Sequence, residues 1–173
     1  DRLNDQSGII NGQLDVIAGE ISTIGNAIAD LNEQIQFALA ASNGQTPNDM
    51  LDQRDRLITQ LSELVAVEVT TQDGSGMNVF IGNGQSLVIG NESNEIFTQA
   101  GDTDPSRLGL YFRKGDTVLE VTSEIQGGQI GGMLQFREKV LEPAINGLGR
   151  VALSINEAFN KQHQRGIDFE GSK

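Results

Sequence analysis

Residues 8–41 read GIINGQLDVIAGEISTIGNAIADLNEQIQFALAA, a stretch in which aliphatic residues recur at alternating steps of four and three. A helix of about 3.6 residues per turn places residues with that spacing on one narrow face, which is the heptad pattern of a coiled coil. The spacing predicts one long helix over residues 8–41, with a seam formed by Ile10, Leu14, Ile17, Ile21, Ile24, Ile28, Leu31 and Ile35.

The segment after this helix predicts a second helix that returns along the first. Gly44 and Pro47 interrupt the periodic pattern, and Asn48 or Asp49 can cap a new helix by accepting a backbone N–H. The seam residues of this second helix are Leu57, Leu61 and Leu64. Together the two segments predict an antiparallel helical hairpin.

The middle of the chain changes to the alternating period of β-strands. Gly82-Asn83-Gly84 tolerates the positive φ angles that a tight hairpin turn requires, so it predicts a hairpin. Residues 91–107 are polar and predict a loop, and Asp73-Gly74-Ser75-Gly76 predicts a turn. The predicted strands are residues 65–70, 77–81, 85–89, 108–112 and 117–121. They favour one small antiparallel sheet.

The last part of the chain, residues 131–164, predicts another helix with the same alternation of steps. Pro143 lies inside it and should bend the helix or start it anew, because proline donates no backbone hydrogen bond and its ring crowds the preceding turn. The seam of this helix would be formed by Leu141, Ile145, Leu148, Ala152, Ile155 and Phe159. The seams suit an intramolecular core and contacts between subunits, and both can hold along one rod.

These elements predict an α+β fold, an elongated bundle of long antiparallel helices with a small antiparallel sheet inserted between the second and the last helix. We expect a rod-like helical domain from residues 1–65 and 127–165 and a β subdomain from residues 66–126. Residues 166–173 would begin a further domain. The chain also lacks an initiator Met, so we expect it to be a fragment.

Composition disfavours several classes of protein. The chain has 24 acidic and 12 basic residues and a formal charge of −12, which opposes a general affinity for nucleic acid or an anionic membrane surface. It contains no Cys, which removes thiol catalysis, Cys-based zinc sites and disulfides. No apolar run of about 18 residues is present to span a bilayer.

The titratable residues give no convincing catalytic, cofactor-binding or metal site. His163 is the single histidine and has no second His or nearby carboxylate at a metal-ligand spacing, so it is interpreted as a surface residue. Asp52 and Asp55 fit a charged helix face, and Asp102 and Asp104 fit turn chemistry; neither pair has the spacing of a calcium-binding EF-hand. We therefore expect no enzyme activity and no cofactor.

Four strings in the chain together resemble the flagellar hook-associated protein 1 family, FlgK. They are PNDMLDQRDRL at 47–57, NVFIGNGQSLV at 78–88, GGQIGGMLQFR at 127–137 and AFNKQHQRG at 158–166. The resemblance extends over nearly the whole chain, and it is more specific than any single string. It identifies the chain as a central fragment of such a protein that lacks both termini.

The resemblance implies an extracellular, structural part of the bacterial flagellum that joins hook to filament and serves motility by subunit packing. It implies type III export without a cleaved signal peptide. The implied partners are copies of itself in a ring, the hook protein, the second hook–filament junction protein and an export chaperone, with no nucleic acid and no membrane. The residues that we expect at subunit contacts are Asn48, Asp52, Arg54, Asp55 and Asn83.

Two other functions remain open from the residues alone. A secreted carbohydrate- or peptidoglycan-cleaving enzyme domain would use two carboxylates on either side of a cleft. A generic coiled-coil interaction module would share the physics of the seam but have a different partner.

Overall fold

The structure, a computed structural model, describes residues 2–41, 47–71, 76–101 and 104–165. Its first element is helix α1 (Arg2–Ala41), which has 40 residues. The predicted helix over residues 8–41 is therefore confirmed and extends six residues further toward the amino end. At a rise of about 1.5 Å per residue, α1 is about 60 Å long.

The second predicted helix is confirmed as α2 (Asn48–Leu64). The expected cap is wrong: Pro47 occupies the N-cap position, and no side chain caps the helix. The backbone N–H groups of Met50 and Leu51 donate to the Pro47 carbonyl at 3.1 and 3.2 Å instead. Proline has a φ suited to this boundary, so it starts the helix without a side-chain acceptor. The turn predicted from Gly44 lies outside the described residues.

The strands form two antiparallel sheets where the sequence predicted one. The first sheet has the order β1-β2-β3-β4 and the second has the order β5-β6-β7. The strands are β1 (Val67–Thr71), β2 (Met77–Ile81), β3 (Gln85–Ile89), β4 (Glu92–Ser93), β5 (Glu95–Ala100), β6 (Leu108–Lys114) and β7 (Thr117–Glu120). The hairpin at residues 82–84 is confirmed, because β2 and β3 pair across it. The predicted turn at residues 73–75 lies outside the described residues.

The loop predicted over residues 91–107 is wrong in its first half, where β4 and β5 form. Ile96 is only 1% exposed, and it pairs with Phe112 of β6. Glu95, Thr98 and Gln99 give this strand a polar composition. Its buried side chain, Ile96, nevertheless packs the strand against α1. Burial of that position, which the composition of the segment does not show, decides the local structure.

Both sheets pack against α1, which also packs against α2. The inward side chains of the sheets include Val79, Leu87 and Leu110, all fully buried. Ser22 of α1 hydrogen-bonds the second sheet directly. Its hydroxyl donates to the Ile96 carbonyl at 2.7 Å and accepts from the Ile96 N–H at 2.9 Å. The core therefore lies along α1, with α2 and the sheets arranged around it.

The last helical segment contains three pieces. They are α3 (Gly128–Phe136), a π-helical turn (Arg137–Leu141) and α4 (Glu142–Arg165). The N–H of Glu142 donates to the Arg137 carbonyl, five residues back, and Pro143 follows with no N–H to donate. A widened turn moves the backbone carbonyls that the proline ring would otherwise crowd. Pro143 was expected to bend the helix or start it anew; α4 does begin at Glu142, one residue before it, and the bend stays a prediction.

The described residues divide into two compact units at Gln135 and Phe136. The first contains α1, α2, both sheets and nearly all of α3, and the second contains the π-helical turn and α4. The α+β class predicted from the sequence is confirmed. The proposed division into a rod-like helical domain and a β subdomain stays a prediction.

Candidate functional site

The predicted seam of α1 lies on the buried face of this helix. Each of its eight residues is at most 9% exposed, and Leu14, Ile21, Ile28 and Ile35 have no exposed surface. On α2, Leu61 and Leu64 are buried and Leu57 is half-buried. Burying each such side chain stabilises the fold by roughly 1.5–3 kcal/mol.

The predicted seam of α4 is placed differently. Leu141 is buried and Ile145 is half-buried, whereas Ala152 is exposed. The large side chains further along are exposed too, at 59% for Leu148, 52% for Ile155 and 72% for Phe159. A heptad spacing shows which side chains share a face, but it does not show whether another element covers that face.

A buried polar cluster joins α1, α2 and the first sheet. The Asn32 amide donates to the Met77 carbonyl at 2.8 Å and to the Gly90 carbonyl at 2.6 Å, and its Oδ1 accepts from Arg54 Nη1 at 2.9 Å. The Gly90 N–H in turn donates to the side chain of Asn78 at 2.9 Å. Both hydrogens and the oxygen of the Asn32 amide are therefore used inside the core.

Arg54 was expected among the residues at subunit contacts, but the structure places it in the interior, where the residue is only 5% exposed. Desolvation lowers the pKa of Arg54 from its ordinary value, while the charge of Asp55 opposes that effect. The burial could have been inferred, since Arg54 stands three residues before Leu57 and seven before Leu61, on the same helical face. Asn32, four residues after Ile28, carries the same signal and was missed.

The other predicted subunit-contact residues are accessible. Asn48, Asp52 and Asp55 are exposed on α2, and Asn83 is exposed at the tip of the β2–β3 hairpin. The backbone at the hairpin tip is held in place, because the Asn83 N–H donates to the Glu124 carbonyl at 2.8 Å. These residues present polar groups at the surface, as a contact with a neighbour requires.

Gly82 explains how the hairpin tip comes so close to the chain before α3. Its φ is +57°, and a Cβ at this position would lie 2.3 Å from the Glu124 carbonyl oxygen. A side chain would collide with backbone, so the close approach depends on glycine.

The outer face of the second sheet carries an aromatic and charged cluster. The rings of Phe97 and Tyr111 stack with centroids 6.1 Å apart, and the Arg113 guanidinium lies 4.6 Å from the Phe97 ring centroid. Arg113 also pairs with Glu95. These exposed ions contribute little to stability, but they hold the ring and the guanidinium in one arrangement.

The carboxylate and imidazole side chains of the described residues are the candidates for a metal site. Within the described ranges, no group of three or more His, Asp or Glu side chains is placed to hold a metal ion. His163 is exposed on α4. Asp104 accepts from the backbone N–H and the hydroxyl of Ser106, at 3.0 and 2.6 Å, which agrees with turn chemistry; Asp102 lies outside the described residues.

Two further observations concern surfaces. In the described part of the chain, no helix is both long and apolar enough to cross a bilayer.

A shallow hollow runs along α4, lined by Gly147, Arg150, Val151, Ser154, Ile155 and Ala158. It is an open strip on one helix, so it is more suited to a packing partner than to an enclosed substrate.

Comparison with known proteins shows the family to which this chain belongs. The family model described as "Flagellar hook-associated protein FlgK helical domain" matches residues 1–173. The chain belongs to this family. The resemblance inferred from the four strings is thereby confirmed.

Curated relatives agree along the whole chain. Flagellar hook-associated protein 1 of Salmonella typhimurium is 35% identical over 173 residues, which are 99% of this chain and 31% of the relative. Flagellar hook-associated protein 1 of Escherichia coli K12 is 36% identical over 171 residues, 98% of this chain and 31% of the relative. The chain therefore spans about a third of the length of these relatives.

A solved structure shares the fold. The flagellar hook junction protein FlgK from Burkholderia pseudomallei is similar with a TM-score of 0.73 and 34% sequence identity, covering 83% of this chain and 26% of that one. Membership in the FlgK helical-domain family therefore rests on both sequence and fold.

Proposed function

We propose that this chain is a non-enzymatic structural module of a protein that joins hook to filament in the bacterial flagellum. The observation that supports the proposal most is the buried heptad seam of α1 in a chain that belongs to the FlgK helical-domain family. The module acts by its shape and its packing, and it transforms no substrate.

The packing around α1 fits a load-bearing role. A junction between two parts of a rotating appendage must transmit torque without bending, and a long helix resists bending when its buried face is packed along its length. In α1 that face runs from Ile10 to Ile35, at most 9% exposed at each seam position. An isolated helix of this length would have no such support.

Polar contacts hold the second sheet at defined points of α1. Near its start, the Asn11 amide donates to the Ser106 carbonyl at 2.7 Å. One turn further, Asp15 accepts from the Thr98 hydroxyl, and beyond it Ser22 bonds the backbone of β5. Because hydrogen bonds are directional, these contacts set the position of the second sheet along the helix as well as its distance.

The Asn32–Arg54 cluster sets the positions of α2 and of the first sheet along α1. A buried polar side chain in a helical seam disfavours other registers, because a shift would leave its groups without partners in the core. The cluster therefore helps to give the module one shape, which identical subunits need if they are to pack identically.

The proposed partners are copies of the same protein in a ring, the hook protein, the second hook–filament junction protein and an export chaperone. We place the contacts to neighbours on the exposed polar residues Asn48, Asp52, Asp55 and Asn83. Arg54 supports them from the interior, because it holds α2 on α1. The proposed location is extracellular, after type III export of the unfolded chain.

Deletion of the full-length gene tests the proposal. We expect electron microscopy of the deletion strain to show hooks without attached filaments, and we expect the wild-type gene on a plasmid to restore the filaments. Normal filaments on the hooks of the deletion strain would contradict the proposed function.

A second assay addresses the peptidoglycan-cleaving alternative, which the comparisons do not support. Purified full-length protein incubated with peptidoglycan should release no reducing sugar above the buffer control, with lysozyme as the positive control. Release that depends on Asp52 or Asp55 would favour the enzyme instead.

A further inference from the structure

The dipeptide Asn-Gly has a reactivity of its own that needs no enzyme. The backbone nitrogen of the glycine can attack the side-chain amide of the asparagine, because glycine has no side chain to hinder the approach. The pair occurs four times in this chain, at residues 11–12, 43–44, 83–84 and 146–147. Residues 43–44 lie outside the described residues, and the other three pairs differ in their surroundings.

Two of these pairs lie inside helices, Asn11-Gly12 in α1 and Asn146-Gly147 in α4. Closing a five-membered ring between the asparagine side chain and the next backbone nitrogen fixes the ψ angle of the asparagine far from the helical value of about −42°. It also removes the glycine nitrogen from the hydrogen bond that a helical N–H makes to the carbonyl four residues earlier. Helical geometry therefore opposes the reaction at both pairs.

The Asn11 side chain is held by hydrogen bonds as well. Its amide donates to the Ser106 carbonyl at 2.7 Å, and its Oδ1 accepts from the Leu108 N–H at 3.3 Å. Rotation of this side chain toward Gly12 would break both bonds. Asn146 is exposed, so its protection comes from the helix.

The third pair, Asn83-Gly84, lies in the turn between β2 and β3. Both residues are exposed, so the Asn83 side chain can rotate toward its own backbone in contact with water. A Cβ added at Gly84 would meet nothing within 4 Å, which shows that the space around this residue is open. The turn therefore lacks the protection that the two helical pairs have.

Two backbone hydrogen bonds restrain this turn without preventing the reaction. The Asn83 N–H, which donates to the Glu124 carbonyl at 2.8 Å, lies outside the ring that forms. The Gly84 N–H, which does react, donates to the Ile81 carbonyl at 3.2 Å, at the long end of the range for such bonds. Loss of one exposed hydrogen bond slows the reaction by about 10-fold at most.

We propose that Asn83-Gly84 is a deamidation site, at which the chain modifies itself through a succinimide. The Gly84 nitrogen forms a bond to Cγ of Asn83, the bond from Cγ to Nδ2 breaks, and ammonia leaves with the proton of the Gly84 N–H. Solvent water then adds to one of the two ring carbonyls. Opening at Cγ gives aspartate, and opening at the backbone carbonyl gives isoaspartate, in which the main chain runs through the side chain. No oxidant or reductant takes part.

The reaction adds a carboxylate to the hairpin tip of a chain whose formal charge is −12. Asn83 is one of the residues proposed for contacts with neighbouring subunits, so the new charge lies on that surface. The chemistry does not depend on the proposed function, since it requires only water and the exposed turn.

Peptide mapping by mass spectrometry tests the site. Purified full-length protein is incubated for weeks in water enriched in heavy oxygen, at neutral and at mildly alkaline pH, and is then digested. We expect Asn83 to convert on the order of 10-fold faster than Asn11 and Asn146, because opening a helix locally breaks several hydrogen bonds. The product should contain heavy oxygen and more isoaspartate than aspartate. Its rate should rise with pH, because a base removes the proton of the attacking nitrogen.

Two controls separate the turn from the dipeptide. Asn83→Gln keeps an amide at this exposed position but must close a six-membered ring, so the converted peptide should be absent from its map. Protein unfolded in urea provides the reference without turn or helix. There the three pairs should react at similar rates, because each asparagine is followed by glycine.

Three outcomes would overturn the inference. They are an Asn83 amide that survives in the folded protein as long as that of Asn146, a product that contains aspartate but no isoaspartate, and unfolded protein in which Asn83 still reacts alone. The last would show that neighbouring residues in sequence decide the rate and the turn does not. None of these outcomes bears on the microscopy of the deletion strain, which tests the junction function separately.

Discussion

Removing the Asn32 amide should destabilise the fold more than removing a typical surface group. Asn32→Leu takes away the donor to the Met77 and Gly90 carbonyls and the acceptor for Arg54. Arg54 is only 5% exposed, so water does not readily replace the hydrogen bond that its Nη1 loses. We expect a loss of about 3–5 kcal/mol in the free energy of unfolding, because three buried groups each lose a hydrogen bond at about 1–3 kcal/mol apiece.

Removing the other partner should cost less. Arg54→Met keeps most of the volume of the side chain and takes away its charge, leaving the Asn32 Oδ1 without the 2.9 Å hydrogen bond. The expected cost is about 1–3 kcal/mol, the desolvation penalty of one buried acceptor. The double variant should be more stable than the sum of the two losses predicts, by about 1–3 kcal/mol. The reason is that it lacks both the Arg54 donor and the Asn32 acceptor, so neither group is left buried without the other.

Urea unfolding of the 173-residue chain, followed by circular dichroism, measures these differences by linear extrapolation. Thermal midpoints provide a second readout, and the Asn32→Leu loss corresponds to a fall of about 6–20 °C. Arg56→Met and Asn4→Leu are matched controls, since both residues are exposed on the same helices. Their effects should stay within about 0.5 kcal/mol. Additive single losses, or an Asn32→Leu variant as stable as wild type, would refute the reasoning.

Four further changes test other parts of the structure. Ile24→Asp puts an unpaired charge into the α1 seam and should lower the melting temperature strongly. Leu61→Ala should cost about 2–5 kcal/mol in the free energy of unfolding, since the side chain is fully buried. Gly12→Ala should stabilise by about 0.5–1 kcal/mol, while Gly128→Ala should destabilise by more than that, because its Cβ would lie 2.4 Å from neighbouring backbone atoms. The Asp104 carboxyl should titrate below its ordinary pKa of 3.8, because the Ser106 hydroxyl and then the Ser106 N–H donate to it.

Each of these changes has its own control. Asn26→Asp adds the same charge at an exposed position of α1, and Leu153→Ala removes an exposed side chain of α4; both should leave stability nearly unchanged. The pKa of Asp104 is lowered on folding, so its contribution is present above the unfolded pKa and is lost as the pH falls through the folded pKa. A carboxyl ¹³C titration measures the midpoint, and Ser106→Ala should move it back toward 3.8.

Periodicity was a reliable guide wherever one element buried a regular face. The α1 seam, the presence of α2 and the β2–β3 hairpin were all predicted from spacing and turn residues. These features depend on neighbours in sequence, which a single chain shows directly. Arg54, three residues before Leu57 and seven before Leu61, lies on the same helical face as these two leucines, so its position indicates burial although its charge does not.

What the amino-acid sequence determined by itself is therefore the local order: which residues form helices, where hairpins turn, and which side chains share a face. Tertiary structure alone decided that residues 95–100 form a strand, that Asn32 and Arg54 meet inside the core, and that the predicted seam of α4 is exposed from Leu148 on while the seam of α1 is buried. The physical reason is that repeat spacing is set by the geometry of one helix or strand, whereas burial depends on which distant segment arrives to exclude water.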